Sequence, residues 1–195
     1  IEELNANLED ILHACEQDVQ KLIGRKDVSL DLCSKIENGK LRVDQGVIAG
    51  CAGGLYDSIY EAASILKGHT GGCGDYALSV YPGSQPIMME LVRTGVIGEL
   101  IASGATIRTA FCGPCFGAGD VPANGALSIR HTTRNFPSRE GSKPGSGQLS
   151  GVALMDARSI AATTANGGIL TPATDIDYDP TVPEYQYDAS SYDTR

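Results

Sequence analysis

The alternation of short apolar runs with segments of helical period constrains the fold of this chain most strongly. "GVIAG" is an apolar run bounded by glycines, and it leads through "CAGG" into a helical pattern. The apolar positions of that pattern are Leu55, Ile59, Ala62, Ala63 and Leu66. "YALSVYPGSQP" predicts a second strand, stopped by Pro82, and two short helices that break near Gly95 follow it. Such alternation predicts an α/β fold, a three-layer α/β/α sandwich around a parallel or mixed sheet.

The remaining segments continue this pattern. "ATIRTAF" predicts a third strand that ends at Cys112, and "ALSIRHT" predicts a fourth. "SGVALMDARSIAATTANGG" predicts a closing helix with a stop at Gly167 and Gly168. Near the amino end, residues 4–22 predict one amphipathic helix, followed by a polar connection with a short helix around residues 31–36.

The sequence predicts three parts. We expect residues 1–46 to form an N-terminal helix and connection packed on the domain, residues 47–171 to form the α/β domain, and residues 172–195 to form an acidic, Tyr- and Pro-rich linker or tail. The four tyrosines of this tail also suit a segment that wraps a surface. Since the chain starts without methionine and stops inside the linker-like stretch, we expect a fragment of a longer protein.

Charge and hydropathy exclude two classes of partner. The net charge is -9, whereas nucleic-acid binding depends on clustered Lys and Arg. The sequence has no apolar run long enough to span a membrane, and its amino end lacks the basic and apolar stretches of a signal peptide. We therefore expect a soluble, cytoplasmic protein without nucleic-acid or membrane partners.

The segment "AFCGPCFGAGD" contains two cysteines three positions apart in a glycine-rich turn. The chain has six cysteines, and in a cytoplasmic protein such a number favours metal or redox chemistry over a disulfide framework. A thioredoxin-like redox pair is one alternative, but it requires the motif at a helix start after the first strand. Here the motif comes late, and a loop follows it.

A structural zinc site is a second alternative. Such a site needs four ligands, usually as two pairs, and the sequence has one clear pair. His69 and Cys73 in "HTGGC" would complete a second pair, although an isolated histidine and a buried free cysteine also have ordinary packing explanations. We interpret Cys15, Cys33 and Cys73 as packing or surface residues.

An iron–sulfur cluster is the third alternative, and it fits best. Cys51 and the Cys112/Cys115 pair both follow predicted strand ends, where α/β sheets gather their ligands. A four-iron cube held by three thiolates leaves one iron free to act as a Lewis acid on a hydroxyl or carboxylate. Several glycines would let the backbone approach such a cluster. They are Gly50, Gly53, Gly54, Gly113, Gly117 and Gly119.

Downstream of the cysteine pair, "SIRHTTRNFPSREGS" contains Arg130, Arg134 and Arg139. Guanidinium groups bind carboxylates in bidentate fashion, so arginines next to a cluster suggest a polycarboxylate substrate. A solvated basic loop is the alternative explanation for this segment taken alone.

Four segments, in this order, resemble the aconitase family of iron–sulfur hydro-lyases: "GCAGGLYDS", "YPGSQP", "CGPCFGAGD" and "TTRNFPSREGS". The resemblance covers about residues 47–170. It implies that Cys51, Cys112 and Cys115 bind a 4Fe-4S cluster and that Arg134 and Arg139 bind substrate carboxylates. The chain departs from the family in its "AGCAGG" turn and in Thr133, where the family has asparagine, so we expect a divergent aconitate hydratase-like protein.

The resemblance also implies a function. The chain corresponds to the third α/β domain of the family, and its parent would reversibly hydrate or dehydrate a di- or tricarboxylic acid. The remaining domains of the same protein would supply the acid-base residues, so we expect the fragment alone to be inactive. Loss of the cluster from the isolated fragment would leave free thiols. The alternative is a non-catalytic aconitase-like domain that acts as an iron or redox sensor or as a protein-binding unit.

Overall fold

A parallel β-sheet lies at the centre of the fold, in a computed structural model that describes residues 1–71, 74, 76–138 and 143–193. The strands of these residues are β1 (Ile36–Glu37), β2 (Lys40–Leu41), β3 (Gln45–Ile48), β4 (Ala77–Val80), β5 (Thr106–Ile107), β6 (Leu127–His131) and β7 (Gly151–Leu154). Within the described residues, β5-β4-β3-β6-β7 form one sheet with every neighbouring pair parallel, and β1 and β2 form a separate antiparallel hairpin. The chain thus runs outward in opposite directions from β3, which creates a topological switch point between β3 and β6.

Helices flank this sheet. Their bounds are α1 (Glu2–Ala6), α2 (Leu8–Ile23), α3 (Gly50–Gly53), α4 (Tyr56–Leu66), α5 (Gln85–Arg93), α6 (Val96–Ala102), α7 (Ala157–Ala165) and α8 (Ser190–Asp193). Helix α4 packs against α7, and α5 packs against α6 on either side of the predicted break at Gly95. The predicted α/β class, with a parallel sheet and flanking helices, is confirmed.

The two faces of the sheet differ in polarity. On one face, Ile48 and Ile129 are buried in the main hydrophobic core beneath α4 and α7. On the other face, Gln45, Ser128 and Arg130 project toward the loop that carries the Cys112/Cys115 pair, which they contact through Arg130. The cysteine loop, residues 112–120, therefore lies over a polar face of the sheet.

The prediction of one closing helix after residue 149 is wrong, because Gly151–Leu154 pairs with β6 as an edge strand. Helix α7 begins after Asp156, whose carboxylate accepts hydrogen bonds from the backbone N–H groups of Arg158 (3.0 Å) and Ser159 (3.2 Å). A run of four apolar residues does not by itself distinguish strand from helix. The aspartate cap fixes the boundary because it satisfies backbone donors that have no partner inside the helix.

Replacing Asp156 with alanine is expected to lower the free energy of unfolding by about 1 kcal/mol, the usual effect of removing a helix cap. Burial opposes ionisation of Asp156, yet hydrogen bonds from Ser159 outweigh it and lower the carboxyl pKa. The difference from wild type should therefore be full at neutral pH and shrink as the pH falls below about 4. Urea denaturation at neutral pH and again below about pH 4 measures this difference in the free energy of unfolding. Asp18→Ala, an exposed change in α2, is the control, and equal losses in the two variants would contradict the capping role.

The N-terminal amphipathic helix is interrupted. The predicted single helix is two helices, α1 and α2, that meet at Asn7, whose φ of -131° and ψ of 33° are not helical. Helix α2 buries Leu8 and Leu12 against the core and ends at Ile23. The next residue, Gly24, has the left-handed conformation common after helix ends.

The described part of the tail lies along the domain. Tyr178, Val182 and Tyr185 pack against the core, and the rings of Tyr185 and Tyr56 have centroids 5.3 Å apart. The division into residues 1–46, 47–171 and 172–195 stays a prediction. No helix within the described ranges combines the length and the apolar character that crossing a lipid bilayer requires.

Candidate functional site

The candidate site lies at the carboxyl ends of β3 and β6, at the switch point of the sheet. Helix α3 follows β3 after one residue and carries Cys51, while Thr133 follows the end of β6. The Cys51 Sγ and the Thr133 Oγ1 are 3.0 Å apart and share a hydrogen bond. These two residues meet because parallel strands place their carboxyl ends on one edge of the sheet.

The Cys112/Cys115 pair reaches the same edge of the sheet as Cys51. A short 3₁₀ helix, Gly113–Cys115, joins the two cysteines, and the N–H of Cys115 donates to the carbonyl of Cys112 (3.2 Å). Cys115 is buried and Cys112 is exposed. A methyl group added at Gly50 would lie 2.6 Å from the Cys115 Sγ, so the turn that carries Cys51 directly contacts the pair. The structure thus brings the three predicted cysteines together, and their role as ligands stays a prediction.

The sulfur spacing bears on what these thiols can bind. A single zinc ion holds each thiolate at about 2.3 Å, so two sulfurs on one ion lie at most about 4.6 Å apart. Within the described ranges, Cys51, Cys112 and Cys115 do not form a group whose ligand atoms all lie within 4.8 Å of one another. A cluster binds each thiolate at a different iron and so accepts wider spacing. The donor set and its spacing therefore fit a cluster better than one ion.

The electrostatic environment of Cys115 favours the neutral thiol. Burial raises the pKa of this thiol most, and the neighbouring thiols of Cys112 and Cys51 raise it further, although the backbone of Thr133 acts in the opposite direction. A bound metal would reverse this balance, because metal binding displaces the thiol proton.

The glycines of the first turn allow close contacts of two kinds. Gly50 has a φ of 74° and faces the Cys115 sulfur, as expected of a residue that allows close approach. A methyl group at Gly53, however, would lie 2.1 Å from the carbonyl oxygen of His131, and one at Gly54 would lie 2.7 Å from the backbone nitrogen of Gly83. Gly53 and Gly54 therefore allow backbone to pack on backbone at the strand ends.

Arg130 has a structural position that the sequence did not reveal. Its side chain is fully buried. The guanidinium donates to the carbonyl oxygens of Pro114 (3.1 Å) and Asp120, and to the side chains of Ser128 (3.0 Å) and Gln45 (3.1 Å). Arg130 thus holds the cysteine loop, at Pro114 and at Asp120, against the polar face of the sheet. The alternation of polar and apolar residues in "LSIRH" is the sequence signal that Ser128 and Arg130 share the polar face of this strand.

Asp120 closes the cysteine loop in a left-handed conformation, with a φ of 46°. Its carboxylate accepts hydrogen bonds from the hydroxyls of Ser79 (3.0 Å) and Tyr81, and it pairs with Arg108 at 3.4 Å. Burial, followed by the Asp120 carboxylate, raises the pKa of Tyr81 to about 12, so this hydroxyl stays protonated and acts as a donor. These contacts hold the end of the cysteine loop in place and occupy the Asp120 carboxylate with hydrogen bonds and an ion pair.

His131, at the end of β6, also has a structural role. Its Nδ1 accepts the N–H of Ala157 (3.1 Å) at the start of α7, and its carbonyl accepts the N–H of Ala49 (3.0 Å). Burial lowers the pKa of this imidazole and outweighs the opposing charge of Asp156. A neutral His131 therefore joins β3, β6 and α7.

Of the two predicted substrate-binding arginines, the structure describes Arg134. Arg134 follows Thr133 at the carboxyl end of β6, is exposed, and holds its guanidinium carbon 5.4 Å from the centroid of the Phe136 ring. Arg139 lies outside the described residues, as does Cys73 of the predicted second zinc pair. His69 of that pair is exposed.

Comparisons with known proteins agree on one family. The model of the aconitase family (aconitate hydratase) matches residues 3–162. The 3-isopropylmalate dehydratase large subunit of Thermoanaerobacter pseudethanolicus is 37% identical over 129 residues, 64% of this chain and 30% of that protein. The protein of the same name from Moorella thermoacetica is 34% identical over 140 residues, 70% of this chain and 31% of that protein. The chain spans about 30% of the length of the curated relatives it matches.

Proposed function

The chain belongs to the aconitase family, and from this membership we propose that it forms the cluster-binding part of a hydro-lyase that adds water to, or removes it from, a hydroxylated di- or tricarboxylic acid. One observation carries the proposal: three cysteines from distant segments meet at the switch point of a parallel sheet. The family resemblance seen in the sequence motifs is confirmed by the family match.

In this proposal, Cys51, Cys112 and Cys115 hold a 4Fe-4S cluster. When bound, such a cluster supplies an open iron that acts as a Lewis acid toward a substrate hydroxyl. The chain's own residues prepare the site: Cys115 is fixed in the interior, while the exposed Cys51 is oriented by the hydroxyl of Thr133. The bond from Thr133 can be donated to a thiolate, and such hydrogen bonds to ligands tune a metal centre.

Arg134 and Arg139 bind the carboxylates of the substrate. Arg134 adjoins Thr133, which contacts Cys51, so this exposed residue follows the end of β6 at the edge of the sheet that carries the cysteines. A planar guanidinium supported by an aromatic ring is suited to bidentate binding of a carboxylate. Because similar proteins are named 3-isopropylmalate dehydratases, we propose a substituted hydroxy-dicarboxylic acid as the substrate class.

We expect the 195-residue chain by itself to show no hydratase turnover. Around the cysteines, the titratable groups of the described residues are already engaged: Tyr81 and Asp120 bond to each other, and His131 accepts from Ala157. We therefore propose that the proton acceptor for the substrate comes from other domains or subunits. Coupled absorbance assays of the reconstituted chain, with the hydroxy acid and with its dehydrated form, measure this, and significant turnover would refute the expectation.

Anaerobic reconstitution with iron and sulfide tests the cluster directly. We expect about four irons per chain and a broad visible charge-transfer absorption, both of which should be lost in Cys51→Ser because one of three ligands is removed. The matched control is Cys15→Ser, which removes an exposed thiol from α2 and should leave iron uptake unchanged. Equal iron content in wild type and Cys51→Ser would overturn the proposed ligand set.

A further inference from the structure

A second group of metal-ligating side chains lies away from the cysteine site, at the N-terminal part of the fold. His13 and Glu16 are one turn apart on α2, and Cys33 begins the 3₁₀ helix Cys33–Lys35 that packs against α2. One ligand atom from each of these residues lies within 4.8 Å of the other two, which among the described residues is true of this group alone. The His13 Nδ1 and the Glu16 Oε2 are 3.4 Å apart.

The carboxylate of Glu16 is held in a fixed orientation. Its Oε1 accepts the backbone N–H groups of Leu32 (2.6 Å) and Cys33 (2.8 Å), and its side chain is 17% exposed. These bonds leave the Oε2 directed toward His13. Metal-ligating carboxylates are commonly oriented by such additional hydrogen bonds, so the geometry is that of a prepared ligand.

The surroundings of the group favour a cation. A surface pocket lined by Glu9, Asp10, His13, Cys33 and Ile36 opens the group to solvent. Glu9 and Asp10 bring two carboxylates to this pocket beside His13 and Cys33, so negative charge surrounds the group. A divalent cation would balance this charge, and its binding would release the thiol proton of Cys33 to solvent.

We propose that His13, Glu16 and Cys33 form a binding site for a divalent transition-metal ion of the zinc type. Nitrogen, sulfur and carboxylate oxygen together suit Zn²⁺ or Co²⁺, whereas Mg²⁺ and Ca²⁺ prefer oxygen ligands alone. Three protein ligands leave one position of a tetrahedral ion for water. A bound ion would join α2 to the segment that precedes β1, independently of the cysteines at the switch point.

Cobalt titration of the apo chain tests the proposal, since Co²⁺ replaces Zn²⁺ and shows a thiolate charge-transfer band when sulfur is a ligand. The background variant carries Cys51→Ser, Cys112→Ser and Cys115→Ser, so that the other metal candidate is removed. We expect one Co²⁺ per chain with this band. Adding Cys33→Ser should abolish the band, and adding His13→Ala should weaken binding by about tenfold or more.

Cys15→Ser in the same background is the matched control, since this cysteine lies on α2 outside the group, and it should leave the band unchanged. A background variant that is folded by circular dichroism but shows no band, or a band that survives Cys33→Ser, would overturn the site. If the background variant does not fold, the comparison is made in the wild-type sequence. In that sequence, Cys33→Ser should lower the number of bound Co²⁺ ions by one per chain, and Cys15→Ser should leave it unchanged. Equal numbers of bound Co²⁺ in the two variants would overturn the proposed site.

Discussion

Replacing Arg130 with methionine is expected to lower the free energy of unfolding by about 3 kcal/mol, because the change removes the donor of two backbone carbonyl oxygens at a buried site. These acceptors are the carbonyl oxygens of Pro114 and Asp120. Both belong to the cysteine loop, so the loop should separate from the sheet. Urea denaturation measures the stability, and the rate at which a thiol reagent modifies the buried Cys115 measures the opening of the loop.

Arg134→Met is the matched control, because it removes the same side chain four positions further along. Arg134 is exposed, so its loss should change the free energy of unfolding by less than about 0.5 kcal/mol and leave the Cys115 reaction rate unchanged. Equal effects of the two substitutions would show that the buried contacts of Arg130 do not hold the loop.

Replacing Gly50 with alanine is expected to cost about 3 kcal/mol and to abolish iron uptake on reconstitution. The left-handed backbone, with a φ of 74°, penalises a side chain by about 1–2 kcal/mol. The added methyl group would lie 2.6 Å from the Cys115 sulfur, and such overpacking typically costs about 1–3 kcal/mol more. Cys115 must then move away from Cys51. Denaturation and iron content, measured on the same preparation, test both parts.

Gly24→Ala separates backbone strain from the contact with sulfur. Gly24 has a φ of 65°, close to that of Gly50, but a methyl group there would meet no atom within 4 Å. We expect this variant to lose about 1–2 kcal/mol and to take up iron like wild type. If Gly50→Ala costs no more than Gly24→Ala and also binds iron, the proposed contact between the two cysteine segments is wrong.

The approach of Cys51 to the Cys112/Cys115 pair could be anticipated from the sequence, because both segments follow predicted strands and parallel strands end on one edge. The assignment of helix or strand from hydropathy failed at Gly151–Leu154, where four apolar residues suit a helix as well as an edge strand. Pairing with β6 and the cap at Asp156 decide between them, and neither is visible in hydropathy alone.

Arg130 and Arg134 illustrate a second limit. Both belong to one basic segment, yet the former is fully buried and the latter exposed. Their difference arises because side chains alternate between the faces of β6, and the face that receives Arg130 is covered by carbonyl oxygens from a segment 10–16 residues earlier in the chain. The sequence contains the arginine but does not state which acceptors will surround it.

The sequence by itself determined the α/β class, the family and the cysteine motif, because hydrophobic period and ordered short motifs are local properties of the chain. The tertiary structure alone decided that Gly50 faces a sulfur while Gly53 and Gly54 face backbone, that Arg130 anchors the cysteine loop, and that Cys33 joins His13 and Glu16. These properties depend on distances between segments remote in sequence, and packing fixes such distances only when the whole sheet has formed.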